Sequence, residues 1–378
     1  LFQAEADVAV LDDGPPRRRA DGWARAVGDG VAVTLVAPYF WQEYPKAFLL
    51  EADRLTLDLF AGTRTPVELG SGAAKTHEVW IAIEPASAAD HPGTLARRLA
   101  LPLVAVPPAA WTVASRALPQ ALAPDTPAAR DFLARLGGAY ARYRDHVATE
   151  RWDDGPIDAC DGQVPPHPRV GLYGVLNWGD WQFPGFHSRT HGCEAWGNLE
   201  YDLPQVLGLG YFATGSRDFL DGLVPAVRHY RDVDIIHHAP GTPDWVGMNH
   251  PHKWRHFSFA TAEKIDLGHT WTEGLITYYR LTGDVRALTA ARGIADALAV
   301  RVSKARNPRQ FGWPMIALGG VYDATAEPRY RDALGDYATA AIIAYRPTPA
   351  SGDWKMGILA DGMAYAHAAT GDARFRRW

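Results

Sequence analysis

The arrangement of apolar and polar positions divides the chain into two regimes. In Arg54–Phe60, Leu55, Leu57 and Leu59 alternate with Thr56 and Asp58, the period-2 pattern of a half-buried strand. Val31 to Val36 and Glu78 to Ile83 behave similarly, with clusters such as Asp12-Asp-Gly-Pro-Pro16 between the runs. Short strands with turn signals and no helical repeat predict an antiparallel β-sandwich over residues 1–105. Six prolines between Pro102 and Pro127 predict a linker without regular helix, over 106–128. After it the period lengthens: Phe132, Leu133, Leu136, Tyr140 and Val147 share a helical stripe.

Helical signals then recur over Trp196 to Ala213, Ser216 to Arg231, Gly268 to Leu281, Asp284 to Val302 and Trp354 to Ala369. Three junctions are alike: Tyr211-Phe-Ala-Thr-Gly-Ser-Arg217, Tyr279-Arg-Leu-Thr-Gly-Asp-Val-Arg286 and His367-Ala-Ala-Thr-Gly-Asp-Ala-Arg374. Each ends a helix at Thr-Gly, where glycine adopts the left-handed conformation, and offers Ser216, Asp284 or Asp372 as the next cap. A repeated helix–turn–helix unit builds an (α/α) toroid. The fold class expected is therefore α+β multidomain, an antiparallel β-sandwich followed by an incomplete (α/α) toroid over 129–378. The chain starts at Leu1 and stops at Trp378 within the last unit, so it reads as a C-terminally truncated fragment whose missing start hides any signal peptide.

Charge and composition remove several functional classes. With 38 Lys+Arg against 43 Asp+Glu, a net charge of −5 and no basic block, neither nucleic acid nor an anionic membrane is an expected partner. No apolar run is long enough to cross a bilayer. Cys160 and Cys193 are too few for a disulfide framework and lack zinc-ligand spacing.

Histidine marks the chemistry. Nine of the 14 His lie between His187 and His269, about three times an even share. The richest stretches are His229-Tyr-Arg-Asp-Val-Asp-Ile-Ile-His-His238 and Asn249-His-Pro-His-Lys-Trp-Arg-His256. The second, broken by Pro251, reads as a loop between helices. His250 and His252, beside Asn249, Lys253 and Arg255, form a polar cationic group with no packing purpose. Other positions have structural readings of equal or greater weight. Thr270-Trp-Thr-Glu273 fits a capping box. Glu200 and Asp202 fit helix-start carboxylates as well as a hydrolytic pair. Asp232 and Asp234 fit side chains that orient their neighbours, and Trp178, Trp181 and Trp196 fit a core. His237 and His238 point opposite ways in extended chain, so only one can reach a shared site.

Taken together, Gly197-Asn-Leu-Glu-Tyr-Asp202, Arg228 to His238, Val246-Gly-Met-Asn-His-Pro-His-Lys253 and Gly268-His-Thr-Trp-Thr-Glu-Gly-Leu275 resemble the exo-rhamnogalacturonan lyase family. Those enzymes carry an N-terminal β domain, a central β-sandwich and a C-terminal (α/α) toroid. Pro38-Tyr-Phe-Trp-Gln-Glu-Tyr-Pro-Lys-Ala47 and Gly72-Ala-Ala-Lys-Thr-His-Glu78 are similar to the central sandwich. The resemblance implies β-elimination beside a uronate at rhamnose–galacturonate bonds, with His250 and His252 as the catalytic pair and no cofactor. It implies substrate contacts from Asn198, Tyr201, His238, Trp271 and Glu273, and a uronate-containing polysaccharide as partner; a secreted or periplasmic setting is favoured.

Chemistry supports that set independently. A uronate C5 proton becomes acidic only when its carboxylate is neutralised, and Lys253, Arg255, Asn249 and Arg189 are candidates for this. Imidazole, with an ordinary pKa of ~6.5, can serve as base or acid. Because the loop supplies its own positive charge, no metal is expected. Three rivals remain: a toroid glycoside hydrolase pairing Glu200 or Asp202 with Glu273, a metal site of His250, His252 and His256, and a noncatalytic carbohydrate-binding protein.

Overall fold

The computed structural model describes residues 1–5, 8–11, 14–16, 18–62, 72–88, 91–100, 103–118, 120–149, 173–180, 201–249, 265, 267–346 and 353–378. It is a mixed α+β structure of seven strands, all antiparallel, and eleven α-helices among those residues. The chain forms two compact units. One gathers Leu1–Glu68, Lys75–Val104 and Val170–Trp178, the other Leu69–Ala74, Ala105–Arg169 and Gly179–Trp378.

The first unit holds both sheets. Strands β1 (Phe2–Glu5), β2 (Val8–Val10), β5 (Lys46–Leu50) and β6 (Leu55–Asp58) run in the order β2-β1-β5-β6, while β3 (Trp23–Gly28), β4 (Val31–Val36) and β7 (Trp80–Pro85) run β3-β4-β7. In β4, Ala32, Thr34 and Val36 are buried in alternation, as the sequence pattern requires. Strand β6 forms without that alternation, because as an edge strand all four of its residues stay half-buried. The core draws on both sheets, with Phe40 stacked on Phe48 at 4.8 Å and Ala24, Leu35 and Leu57 packed around them.

Two sequence expectations fail in this region. The first hundred residues include helix α1 (Pro92–Ala100), and the proline-rich stretch includes α2 (Ala109–Ser115). Both start at proline, Pro92 as first residue and Pro108 immediately before α2, where the missing N–H costs nothing. The interval from Ala109 to Leu118 is proline-free, which leaves room for two turns.

A return segment completes this unit. Gly174 and Val175 amides donate to Gln42 and Tyr44 carbonyls at 2.7 and 2.9 Å. Tyr173 packs between Trp41 and Trp178, at 5.0 and 5.2 Å, and the Arg19 guanidinium lies 3.9 Å over Trp41. Trp178 is thus a packing residue.

The second unit is helical. After α3 (Pro127–Thr149) come α4 (Leu203–Thr214), α5 (Arg217–His229), α6 (Glu273–Thr282), α7 (Val285–Ala299), α8 (Pro308–Thr325), α9 (Pro328–Ala344), α10 (Trp354–Thr370) and α11 (Ala373–Arg377). On α3, Leu133 is buried and Tyr140 stacks on Phe219 at 5.4 Å, while Phe132 falls off the stripe and is exposed. Helices α4, α6, α8 and α10 pack in succession, each followed by a partner.

The junction inside each pair is the same device, and the described residues hold four rather than three. Gly215, Gly283 and Gly371 take φ of 67°, 74° and 71°, donating their amides to Tyr211, Tyr279 and His367 carbonyls. The preceding Thr214, Thr282 and Thr370 hydroxyls each donate 2.7 Å back to the carbonyl four residues earlier. They also accept the amide two residues on, at 3.1–3.2 Å. Tyr322-Asp-Ala-Thr-Ala-Glu-Pro-Arg329 repeats every contact, with Ala326 at φ 56° in the glycine position. Left-handed backbone costs a residue with a Cβ about 1–2 kcal/mol. Ala326→Gly should therefore stabilise the chain by about 0.5–1 kcal/mol once glycine's unfolded-state entropy is subtracted. Calorimetry should show the thermal midpoint rising, and a fall would show that Ala326 is not strained.

Candidate functional site

The N-terminal ends of α4, α6, α8 and α10 gather around one patch. Asp202 caps α4, accepting from the Gln205 amide at 3.0 Å, and its other oxygen accepts the Gly274 amide at 2.9 Å in the first turn of α6. Arg309, at the start of α8, donates from Nε to the Gly268 carbonyl at 2.8 Å and holds Nη2 3.3 Å from His269 Nδ1. Its guanidinium carbon lies 5.9 Å from the Tyr201 ring and 5.3 Å from that of Trp354, the first residue of α10. Lys355 lies 5.7 Å over the other ring neighbour, Trp354. Tyr201 and Trp354 are 43% and 53% exposed, so two aromatic faces flank a half-buried cation. Because a guanidinium can only donate, His269 Nδ1 must accept, which places that ring's proton on Nε2.

A buried network fixes the neighbouring loop. Tyr230 donates to the Trp271 carbonyl at 2.8 Å and accepts from the Trp271 amide at 3.0 Å and from Asn249 Nδ2 at 3.1 Å. Asn249 Nδ2 also donates to the His269 carbonyl at 2.7 Å. Asn249 bridges to Ile235, and Ile236 exchanges backbone bonds with Gly247 and Met248. Burial, ahead of the nearby Asp202, holds the Tyr230 phenol well above its ordinary pKa.

Two of the expected substrate contacts are framework in this arrangement. Asn249 is 3% exposed with its amide engaged, and Trp271 is 2% exposed, packed edge-on against Trp313 at 4.3 Å. Neither offers a face to a sugar; both position His269 and the start of the Asn-His-Pro-His segment. Tyr201 and His238 are exposed, and His237 donates from its ring toward the Arg231 and Asp232 carbonyls at 2.9 and 3.1 Å. Asp232 accepts from Arg231 Nε at 2.7 Å, in line with an orienting role. His250, His252, Lys253, Arg255, Arg189 and Asn198 lie outside the described residues, as do Trp181, Trp196, Glu200 and His256.

The capping box at Thr270–Glu273 is not formed. Helix α6 begins at Glu273 itself, one residue after Thr272, whose hydroxyl donates to the Ala317 carbonyl at 2.9 Å. Glu273 is therefore too early to reach back, and Asp202 of the neighbouring helix caps Gly274 in its place. Glu273 turns instead into a cavity of about 150 Å³ lined also by Gln205, Arg280, Gly320, Asp323 and Tyr365. It accepts from the Tyr365 hydroxyl and, at 3.5 Å, from Gln120. Burial raises its pKa to about 8, with the Tyr365 bond opposing and Asp202 adding to the shift. Burial also raises Asp202 to about 6, against its two amide bonds.

Sequence reasoning missed Arg309, Trp354 and Tyr230. Tyr230 was legible inside the His-rich run; Arg309 and Trp354 begin helices remote in sequence and carry no local signal. Neither a protein-family model nor a curated protein sequence matches this chain.

Proposed function

We propose that the chain is a polysaccharide lyase, a β-sandwich followed by an (α/α) toroid, that cleaves rhamnose–galacturonate linkages of rhamnogalacturonan I. The observation that carries this reading is Arg309 held between exposed Tyr201 and Trp354 beside His269, next to Asn249. Aromatic faces suit sugar rings, a fixed guanidinium suits a uronate carboxylate, and the surrounding helix N-termini favour negative charge. The resemblance of the Asn-His-Pro-His segment supplies the catalytic pair.

In this mechanism Arg309, with Lys253 and Arg255, neutralises the carboxylate and makes the C5 proton removable. One of His250 and His252 takes that proton. The electron pair forms the C4=C5 double bond as the C4–O4 bond breaks, and the other histidine protonates the departing O4. A hydrolase pairing Asp202 with Glu273 is less favoured, because Asp202 is engaged by two backbone amides.

Arg309→Ala should lower kcat/KM on rhamnogalacturonan I oligosaccharides by about 10–100-fold, through both kcat and KM, the loss expected when a charged hydrogen bond that binds and acidifies the uronate goes. Arg309→Lys should recover part of it, lacking the bidentate fork. Unchanged kinetics for Arg309→Ala would remove the carboxylate-binding role.

A further inference from the structure

We propose that Asp180, His229 and Asp234 form a divalent-cation site of the zinc class within the helical unit. His229 ends α5, and the chain continues into a five-residue π-helical turn, Tyr230–Asp234. The turn returns Asp234 to the side of His229. Asp180 arrives from a separate segment, after Gly179 at φ 109°. A Cβ on Gly179 would sit 2.2 Å from the Pro225 carbonyl oxygen, so only glycine lets Asp180 lie this close to the end of α5.

The three side chains are fully buried, with His229 Nε2 3.6 Å from Asp180 Oδ2 and 3.3 Å from Asp234 Oδ1. Charge-assisted N–H···O bonds run ~2.7–2.9 Å, shorter than either separation. Donors on a tetrahedral ion with bonds of about 2.0–2.1 Å lie roughly 3.3–3.4 Å apart, close to both separations. The nitrogen donor selects against calcium and magnesium, which take oxygen-only sets. The fourth tetrahedral position falls to a water or a further donor.

Bound there, the ion ties Asp180 to the end of α5 and to the residue preceding Ile235, which bridges to Asn249. Its role is structural, and it adds a metal where the sequence implied none. The competing arrangement is an imidazolium held between two carboxylates.

The test uses the whole chain purified without a metal-affinity tag. Elemental analysis should find about one zinc per chain, and dialysis against EDTA should lower the thermal midpoint by about 5 °C or more, restored by ZnCl2. Asp234→Asn should lose the zinc. Four results would overturn the proposal: a metal-free chain whose melting ignores EDTA and which takes up no ZnCl2 by calorimetry; zinc that EDTA removes without moving the midpoint; equal restoration by CaCl2; or a folded Asp234→Asn that keeps its zinc. The chelation and titration arms need only the unaltered chain, so a variant that fails to fold leaves the test intact.

Discussion

His250→Ala and His252→Ala are each expected to lower turnover on rhamnogalacturonan I oligosaccharides by about 10²–10⁴-fold, the usual cost of removing a general acid or base. Substrate affinity should survive, because Arg309, Tyr201 and Trp354 remain. The double variant should be scarcely slower than the poorer single one, since residues that act as a unit are non-additive. Buried Asn249, bonded to Tyr230 and to the His269 carbonyl, gives the segment a fixed start. His256→Ala and His146→Ala serve as controls with little expected change. If either His250→Ala or His252→Ala kept near-normal turnover, the pair would be misassigned and exposed His238 would be the next candidate.

Glu43→Gln should be the most damaging substitution in the sheet unit. Glu43 meets Lys46 Nζ at 2.7 Å, Lys75 Nζ at 2.8 Å and His77 Nδ1 at 3.4 Å, and the two ammonium groups are almost wholly buried. Burial alone would raise its pKa; Lys75, then His77 and Lys46, overcome this and hold it far below the ordinary carboxylate range. Removing the carboxylate from between two buried cations costs about 3–5 kcal/mol. The pH dependence follows from the depressed folded value. Stability from Glu43 is complete above the ordinary glutamate value of 4.5 and drains away as pH falls toward the folded value, because the unfolded state binds the proton first. Glu43→Gln should flatten that acid limb. Denaturant melts between pH 3 and 7 measure both effects, and a loss under about 1 kcal/mol would mean the cluster relaxes into water.

The two sequence segments compared above with a central sandwich, Pro38 to Ala47 and Gly72 to Glu78, supply all four members of this cluster. Their charged residues were visible in sequence, but their meeting was not, because a contact between residues 43 and 75 leaves no local pattern. Where the signal was local the sequence was readable: β4 falls on Val31–Val36, and the Thr-Gly junctions cap as glycine stereochemistry requires. The fourth junction was hidden by alanine at position 326. Helix α8 was obscured by Pro314 within it and by Gly312, Gly319 and Gly320, all ordinarily helix-weakening. In α9 the buried stripe runs through Tyr330, Ala333, Leu334, Tyr337, Ala338 and Ala341, and alanine carries too little hydrophobic signal to mark it. Missing α8 meant missing Arg309, while Trp354, at the start of a helix that the sequence marks, gives no local sign of its approach to Arg309.

β-Elimination at a uronate leaves a 4,5-unsaturated sugar, and that conjugated product is the direct readout. The chain, incubated with rhamnogalacturonan I oligosaccharides, should generate ultraviolet absorbance in step with each new chain end, and the Arg309 and His250 variants should slow both together. New reducing ends without absorbance would identify a hydrolase, and binding with no product at all would identify a carbohydrate-binding protein; either result would contradict the lyase.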